Sequence, residues 1–343
     1  MSTGEKRKAD EMSGTVTTTL TELTAVCQKA VEKLGYDAEQ AKVLVEVMMF
    51  SQVRGGNQGI IKIITNGLTK DPEAKDPVVE HEHKLCARIN GNKSVGMVVL
   101  MKATDMAIEK AKAHGFGMAG TNNTFTSTGS LGAYVKKIAD AGLIGFGFAQ
   151  SPEFVAPYGS YQAILGTNPI AVGIPRKDAG PMVLDMATAA YPFFGLLEAK
   201  TAGKPIPGDV AYDSEGNLTT DPAAAIAGAI RVFDRSYKGS NLSLMVELLA
   251  GSFVGAATND KKAAKNWGNL VFAIDPAMMG DVGEFQAGME VVFDRIKTAK
   301  KLPGVTQLML PGERGGKMAA AVADANSVTL EKNLYDSIVK FAS

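Results

Sequence analysis

The side chains able to do chemistry stand at the ends of apolar runs and in glycine-rich turns. Asp185 closes an apolar strand in VLDMAT, and a carboxylate at a strand terminus either caps a helix or binds a ligand hydroxyl. Lys238, in SYKGSNLSL, comes just before a helix N-terminus, where a cation is electrostatically disfavoured unless it serves an anion. The segment PGERGG puts Glu313 and Arg314 in a flexible turn after a strand. SQVRGGNQGIIKIITNGL, starting at Ser51, is a glycine-rich polar stretch that follows a helix and feeds an apolar one, a geometry that can aim side chains at a ligand.

Several familiar chemistries lack their handles. The one G-x-G-x-x-G match, Gly115, Gly117 and Gly120, follows a helix, whereas a dinucleotide fingerprint must follow a strand and open a helix. Gly115 therefore reads as a helix C-cap and the match as accidental. His81 and His83 share a period-two strand face and His114 ends a helix, so the histidines have no metal spacing and no metal site is expected. Walker, Cys-x-x-Cys, His-Glu-x-x-His and Gly-x-Ser-x-Gly patterns are absent.

The positioning elements follow from capping and periodicity. A Thr19-x-x-Glu22 capping box opens a helix with Leu20, Leu23, Cys27, Val31 and Leu34 on one face, and Asp37 caps a second helix that runs out before Gly55-Gly56. Strand-like residues 78–89 lead through Asn90-Gly91 to a third helix ending at His114. GLIGFGFA, PIAVGIP, MVLDMA and LVFAID read as buried strands, QLML near Gln307 as another, with helices over 222–232, 241–257, 281–300 and from Ser327 to the end. Met48, Met49, Met278 and Met279 read as core filling.

With 343 residues, 45% hydrophobic and 21% charged, the chain can bury a large core in one domain or two intimate ones. The 36 basic residues balance 36 acidic ones, which disfavours nucleic acid and anionic membranes as partners. No apolar run reaches the roughly 20 residues of a membrane helix, and no signal peptide opens the chain, so a cytoplasmic protein is expected. Cys27 and Cys86 read as buried thiols rather than a disulfide. Residues 1–14 read as a disordered tail whose Lys6-Arg7-Lys8 cluster is solvated.

Seven segments in order, LGTNPIAVGIP from Leu165, VLDMAT, NLTTDP from Asn217, Tyr237-Lys238-Gly239, LMVELLAG from Leu244, FAIDP from Phe272 and LPGE from Leu310, make the chain resemble the type 2 malate/L-lactate dehydrogenase family. That resemblance implies an α/β (α+β) sulfolactate dehydrogenase-like fold, unlike Rossmann, with a central mixed β core, an N-terminal helical hairpin and a C-terminal helix. The implied organisation is a helical region over 15–75 packing with 318–343, and an NAD(P)-binding and substrate core over 76–317. It implies a homodimer, NAD or NADP as cofactor and a small-molecule substrate. The cofactor contacts it implies are Asp185, Met186, Ala187, Lys238, Gly312 and Glu313.

Two departures bear on catalysis. After the second helix the family reads Arg-Gly, two residues, then Ser-His-Gly; this chain keeps Arg54 and Gly55, candidates with Asn57 for holding substrate, but has Asn57-Gln58-Gly59. A second family histidine aligns to Ser127, and the lysine of a Gly-Lys-Ile segment to Leu196. General acid–base help is worth on the order of 10²–10⁴-fold, and neither Gln58 nor Ser127 titrates near neutrality. Gln58 can still donate a hydrogen bond to a developing oxyanion, and Lys62 is the first substitute base. The expected function is NAD(P)H-dependent reduction of small 2-oxo acids or cyclic imines, or the reverse oxidation of 2-hydroxy acids, at an altered site. The alternative is an inactive descendant kept as a structural, assembly or cofactor-binding protein.

Overall fold

The computed structural model describes residues 14–343 apart from Asn57, Gln58, Asn66 and Asp178, so the readings of the 1–13 tail, Asn57 and Gln58 lie outside the described residues. The described residues form two compact units, one up to Pro72 with 314–343 and one from 73–313.

The first unit opens with β1 (Thr15–Thr18), α1 (Leu20–Lys33) and α2 (Ala38–Gln52). Both halves of the capping box form: the Glu22 N–H donates to Thr19 Oγ1 at 3.0 Å, and the Thr19 N–H to Glu22 Oε2 at 3.2 Å. The Gln40 N–H donates to Asp37 Oδ1 at 2.8 Å, fixing the start of α2. Leu23, Cys27 and Val31 of α1 and Leu44, Val47 and Met48 of α2 are fully buried.

The second unit is a sheet of β2 (Val78–Glu82), β3 (Cys86–Asn90), β4 (Phe116–Thr124), β5 (Ile144–Ala149), β6 (Ile170–Ile174), β7 (Met182–Met186) and, later in the chain, β10 (Trp267–Ile274), in the order β2-β3-β4-β10-β5-β6-β7. β3 and β4 are parallel and the other pairs antiparallel, the expected central mixed sheet. Helix α3 (Gly96–His114) lies against β4 and α4 (Gly132–Asp140) against β5 and β6. These approaches need glycine: a Cβ on Gly117 would stand 2.0 Å from the Ala107 carbonyl, and one on Gly173 2.2 Å from that of Val135. The G-x-G-x-x-G match is thus a packing device, with Gly115 a left-handed cap of α3 at φ 83.

Helix α5 (Phe193–Ala202), β8 (Ala211–Tyr212), α6 (Pro222–Ala227) and β9 (Ala229–Ile230) enclose a small core of Val155, Leu165, Leu196, Ile206 and Val232. Then α7 (Tyr237–Ala250) packs on β5 and β10, followed by the short α8 (Lys261–Ala264) and, after β10, α9 (Val282–Lys297). The chain re-enters the first unit through α10 (Glu313–Ala325), β11 (Val328–Glu331) and α11 (Lys332–Ala342). β11 pairs antiparallel with β1, and α11 packs on α1.

Four expectations are corrected. Residues after Ser327 form a strand before the closing helix, because Val328 and Leu330 alternate inward opposite β1. Glu313 starts a helix rather than sitting in a flexible turn, its carboxylate accepting the Leu310 N–H at 3.0 Å. QLML is not a strand; Leu310 is buried alone while Met309 is exposed. Met278 and Met279 are surface residues of a 3₁₀ turn, whereas Met48 and Met49 are core.

Candidate active site

Polar residues of TNNT extend β4 instead of ending it, because each buried side chain is satisfied across the sheet. Asn269 Nδ2 donates to Thr121 Oγ1 at 2.9 Å, Asn122 Nδ2 to the Val254 carbonyl at 2.8 Å, and Thr124 Oγ1 to the Trp267 carbonyl at 2.8 Å. Beyond Thr124 the backbone turns under strain: Thr126 takes φ 68, a left-handed conformation that a β-branched residue adopts rarely. Its hydroxyl is buried with no partner among the described residues. Strain and an unsatisfied hydroxyl coincide at this one residue. Ser127 follows, its Oγ accepting the Gly129 N–H at 3.0 Å.

That turn leads into α4, and there it meets the end of β7. The Gly132 N–H donates to Asp185 Oδ2 at 2.8 Å, so two motifs 53 residues apart share one carboxylate. Crowding by protein raises the Asp185 pKa above the ordinary carboxylate value, opposed by the Gly132 hydrogen bond. The side chain also meets solvent on its outer side, which screens that rise. Gly312, at φ 76, is packed against the same strand: a Cβ there would stand 2.5 Å from the Val183 carbonyl. Met186 and Ala187 are half-buried, Ala187 against the small core.

Behind this end of β7 lies an ionic network that sequence reasoning missed. Lys261 is fully buried and its Nζ stands 2.7 Å from Glu247 Oε1 and 3.9 Å from Glu153 Oε1. Gln150 Nε2 donates to Glu247 Oε1 and Asn168 Nδ2 to Glu247 Oε2, both at 2.7 Å. The Asn168 carbonyl accepts from Thr188 Oγ1 at 3.0 Å, which ties Glu247 to the residue after Asp185-Met186-Ala187. A glutamate inside the apolar run LMVELLAG was the available signal; Lys261, in NDKKAAK, looked like one of several solvated lysines.

The other expected site residues divide. Glu313 is committed to structure, holding the Leu310 N–H and an ion pair with Lys297 at 3.0 Å. Lys238 is exposed in the first turn of α7 rather than ahead of the helix, because Ser236 takes the N-cap two residues earlier. In the first unit, Arg54 lies 3.9 Å over the Phe50 ring and donates through Nη1 to the Phe50 carbonyl at 3.0 Å. Lys62 is wholly buried in a 3₁₀ turn over Ile60–Ile63, and burial lowers its pKa to about 7. Among the described residues no group of three or more histidine, cysteine or acidic side chains could hold a metal ion.

A mixed sheet whose edge strand β7 carries, near its end, an aspartate that holds the N-terminus of α4 defines an α/β fold distinct from Rossmann proteins. The chain belongs to the malate/L-lactate dehydrogenase family, which it matches over residues 18–339. It is 36% identical over 274 residues to L-sulfolactate dehydrogenase of Methanothermobacter thermautotrophicus, covering 78% of this chain and 77% of that one. It is 30% identical over 341 residues to Delta(1)-pyrroline-2-carboxylate reductase 1 of Burkholderia ambifaria, covering 94% and 97%. The structure of sulfolactate dehydrogenase from Methanocaldococcus jannaschii superposes with a TM-score of 0.79 at 28% identity, covering 95% and 96%. The family is one of oxidoreductases, and no helix among the described residues is long and apolar enough to cross a membrane.

Proposed function

We propose that the chain is an NAD(P)H-dependent oxidoreductase of small 2-oxo or 2-hydroxy acids or cyclic imines, working without the family's two histidines. The observation that carries this reading is the Asp185 carboxylate bonded to the Gly132 N–H at the start of α4, five residues on from Ser127 in the segment that leads into that helix. When bound, a reduced nicotinamide supplies a hydride to the carbonyl or imine carbon. The chain must then hold substrate and deliver one proton to the oxygen or nitrogen. Lys62, whose pKa burial lowers to about 7, is the group suited to supply that proton at neutral pH, and because none of its surface is exposed it does so by relay rather than by direct contact. Arg54 and Asn57 are assigned to the substrate, and Gln58 and Ser127 supply hydrogen bonds to the developing anion in place of acids. Reduction of an already protonated imine depends least on a strong acid, so it is the favoured substrate chemistry.

Met186, Ala187 and Gly312 frame the cofactor beside Asp185, and Lys238 serves its phosphates. Glu313 acts on that frame indirectly, by fixing the turn at Gly312. The chain acts as a homodimer: Leu244, Met245 and Leu248 form an exposed apolar stripe on α7, continued by Tyr237 and Phe253. The absence of both family histidines favours a second reading, an inactive cofactor-binding descendant, which binding without turnover would select.

Thermal melting tests cofactor binding. At a hundredfold excess over Kd, NADH or NADPH stabilises by about 2.7 kcal/mol. Asp185→Asn keeps an acceptor for Gly132 but loses the charge, and its shift is expected to shrink. No shift with either nucleotide refutes the reading.

A further inference from the structure

A recess in the second unit lies outside the residues so far assigned. Pro157, Tyr158, Tyr212, Arg231 and Arg235 line it. Asp209 arranges its cations: the Asp209 carbonyl accepts from Arg231 Nη1 at 3.0 Å, and its carboxylate pairs with Arg235 Nε at 3.0 Å. Arg231 also lies over the Tyr212 ring, 5.3 Å from its centroid, and Arg235 donates to the Phe233 carbonyl. A guanidinium has five N–H groups, so both arginines keep donors beyond these contacts. Arg235 holds φ 56, a left-handed conformation that only its surroundings sustain.

The recess adjoins the cofactor segments on two sides. The Ala190 N–H donates to the Arg231 carbonyl at 2.8 Å, so the chain running on from Asp185-Met186-Ala187 passes beside it. Ala190 is three residues on from Ala187, a reach of about 10 Å along the chain. On the other side Tyr158 N–H donates to Ser240 Oγ at 3.1 Å, bringing in the first turn of α7 and Lys238. Arg231, Arg235 and Lys238 outnumber the nearby carboxylates of Asp209 and Asp234. Asp234 is spent on the Ser236 and Gly239 N–H groups, and Asp213 on its own turn through the Glu215 and Asn217 N–H groups.

We infer that this recess binds the 2′-phosphate of NADPH, with Arg231 and Arg235 as the residues that select it over NADH. A phosphate monoester is a dianion with three acceptor oxygens, which matches paired guanidiniums better than a neutral ribose hydroxyl does. Arginine is the side chain that accommodates this phosphate in other dinucleotide sites. The exposed Tyr158 ring offers a face to the adjoining adenine.

The inference rests on the dinucleotide reading above, and calorimetry on the full chain separates the two. NADPH, NADH, adenosine 2′,5′-bisphosphate and 5′-AMP are titrated into wild type, Arg231→Ala, Arg235→Ala and the milder Arg231→Lys. The expected result is NADPH binding at least about tenfold tighter than NADH in wild type. Either alanine variant removes that preference while the NADH Kd stays within about twofold, and the bisphosphate loses affinity in parallel. Equal wild-type affinity for the two cofactors, or variants that weaken both alike, overturns the assignment and leaves the dinucleotide reading standing. If neither cofactor binds, the functional reading falls. The bisphosphate then decides the recess: binding tighter than 5′-AMP, and lost in the alanine variants, keeps the inference, while equal binding ends it. Should an alanine variant fail to fold, the wild-type preferences and Arg231→Lys carry the same decision.

Discussion

Replacing Glu247 by leucine strands the ammonium of Lys261 in the protein interior. Lys261 has no solvent exposure and Glu247 is its 2.7 Å partner, whereas Glu153 stands 3.9 Å away. Breaking a buried pair on one side costs about 3–5 kcal/mol, and the residual pull of Glu153 favours the lower half of that range. The same change takes an acceptor from Gln150 and Asn168, although Gln150 keeps the Ala257 carbonyl at 2.8 Å and Asn168 the Ser243 carbonyl at 3.2 Å. At roughly 2–4 °C per kcal/mol for a domain of this size, Tm should fall by about 6–16 °C. Glu247→Leu combined with Lys261→Met removes both charges and should regain more than half of the loss. Thermal denaturation of wild type, both single variants and the double variant reads the cycle. A single variant within about 1 kcal/mol of wild type, or a double variant no better than Glu247→Leu, would refute the reasoning.

Lys62 couples stability to pH. Its folded pKa of about 7 lies below the ordinary 10.5, so the unfolded chain binds the extra proton between these values and stability rises with pH across that window. Lys62→Met should flatten this rise in urea titrations, and a parallel pH dependence in variant and wild type would contradict it. Burial pushes the Cys27 thiol up to about 12, whereas Cys86 is half-buried rather than buried as its apolar segment suggested, so a thiol reagent at mildly alkaline pH should label Cys86 and reach Cys27 only after denaturation. Equal labelling in the native state would show that α1 opens readily. Leu244→Glu with Leu248→Glu should convert a dimer to monomers in light scattering; a wild-type monomer at micromolar concentration would dismiss the dimer.

Elements with a strong local signal were legible in the chain. The Thr19 box, the Asp37 cap and the Gly115 stop are each settled by residues within four positions, and those helix ends lie where the sequence puts them. β4 was hidden because Thr121, Asn122 and Thr124 look like loop residues until Asn269, Val254 and Trp267 supply their partners from far along the chain. The same distance concealed β11, whose partner β1 lies more than 300 residues away. Asp185 was visible as a carboxylate at a strand end, but its bond to Gly132 was not. The Lys261–Glu247 pair left almost no trace, since a buried lysine and a solvated one are spelled alike.

Turnover tests the central claim most directly: wild-type protein with NADPH or NADH, offered a 2-oxo acid such as oxaloacetate and a cyclic imine such as Δ1-pyrroline-2-carboxylate, followed by loss of the reduced nicotinamide. Reduction is expected, faster with the imine, with oxo-acid reduction declining as pH rises through about 7, where Lys62 gives up its proton. Malate oxidation should be slow. No consumption of either nucleotide with either substrate, or malate oxidation at an ordinary rate of roughly 10 s⁻¹, would contradict it.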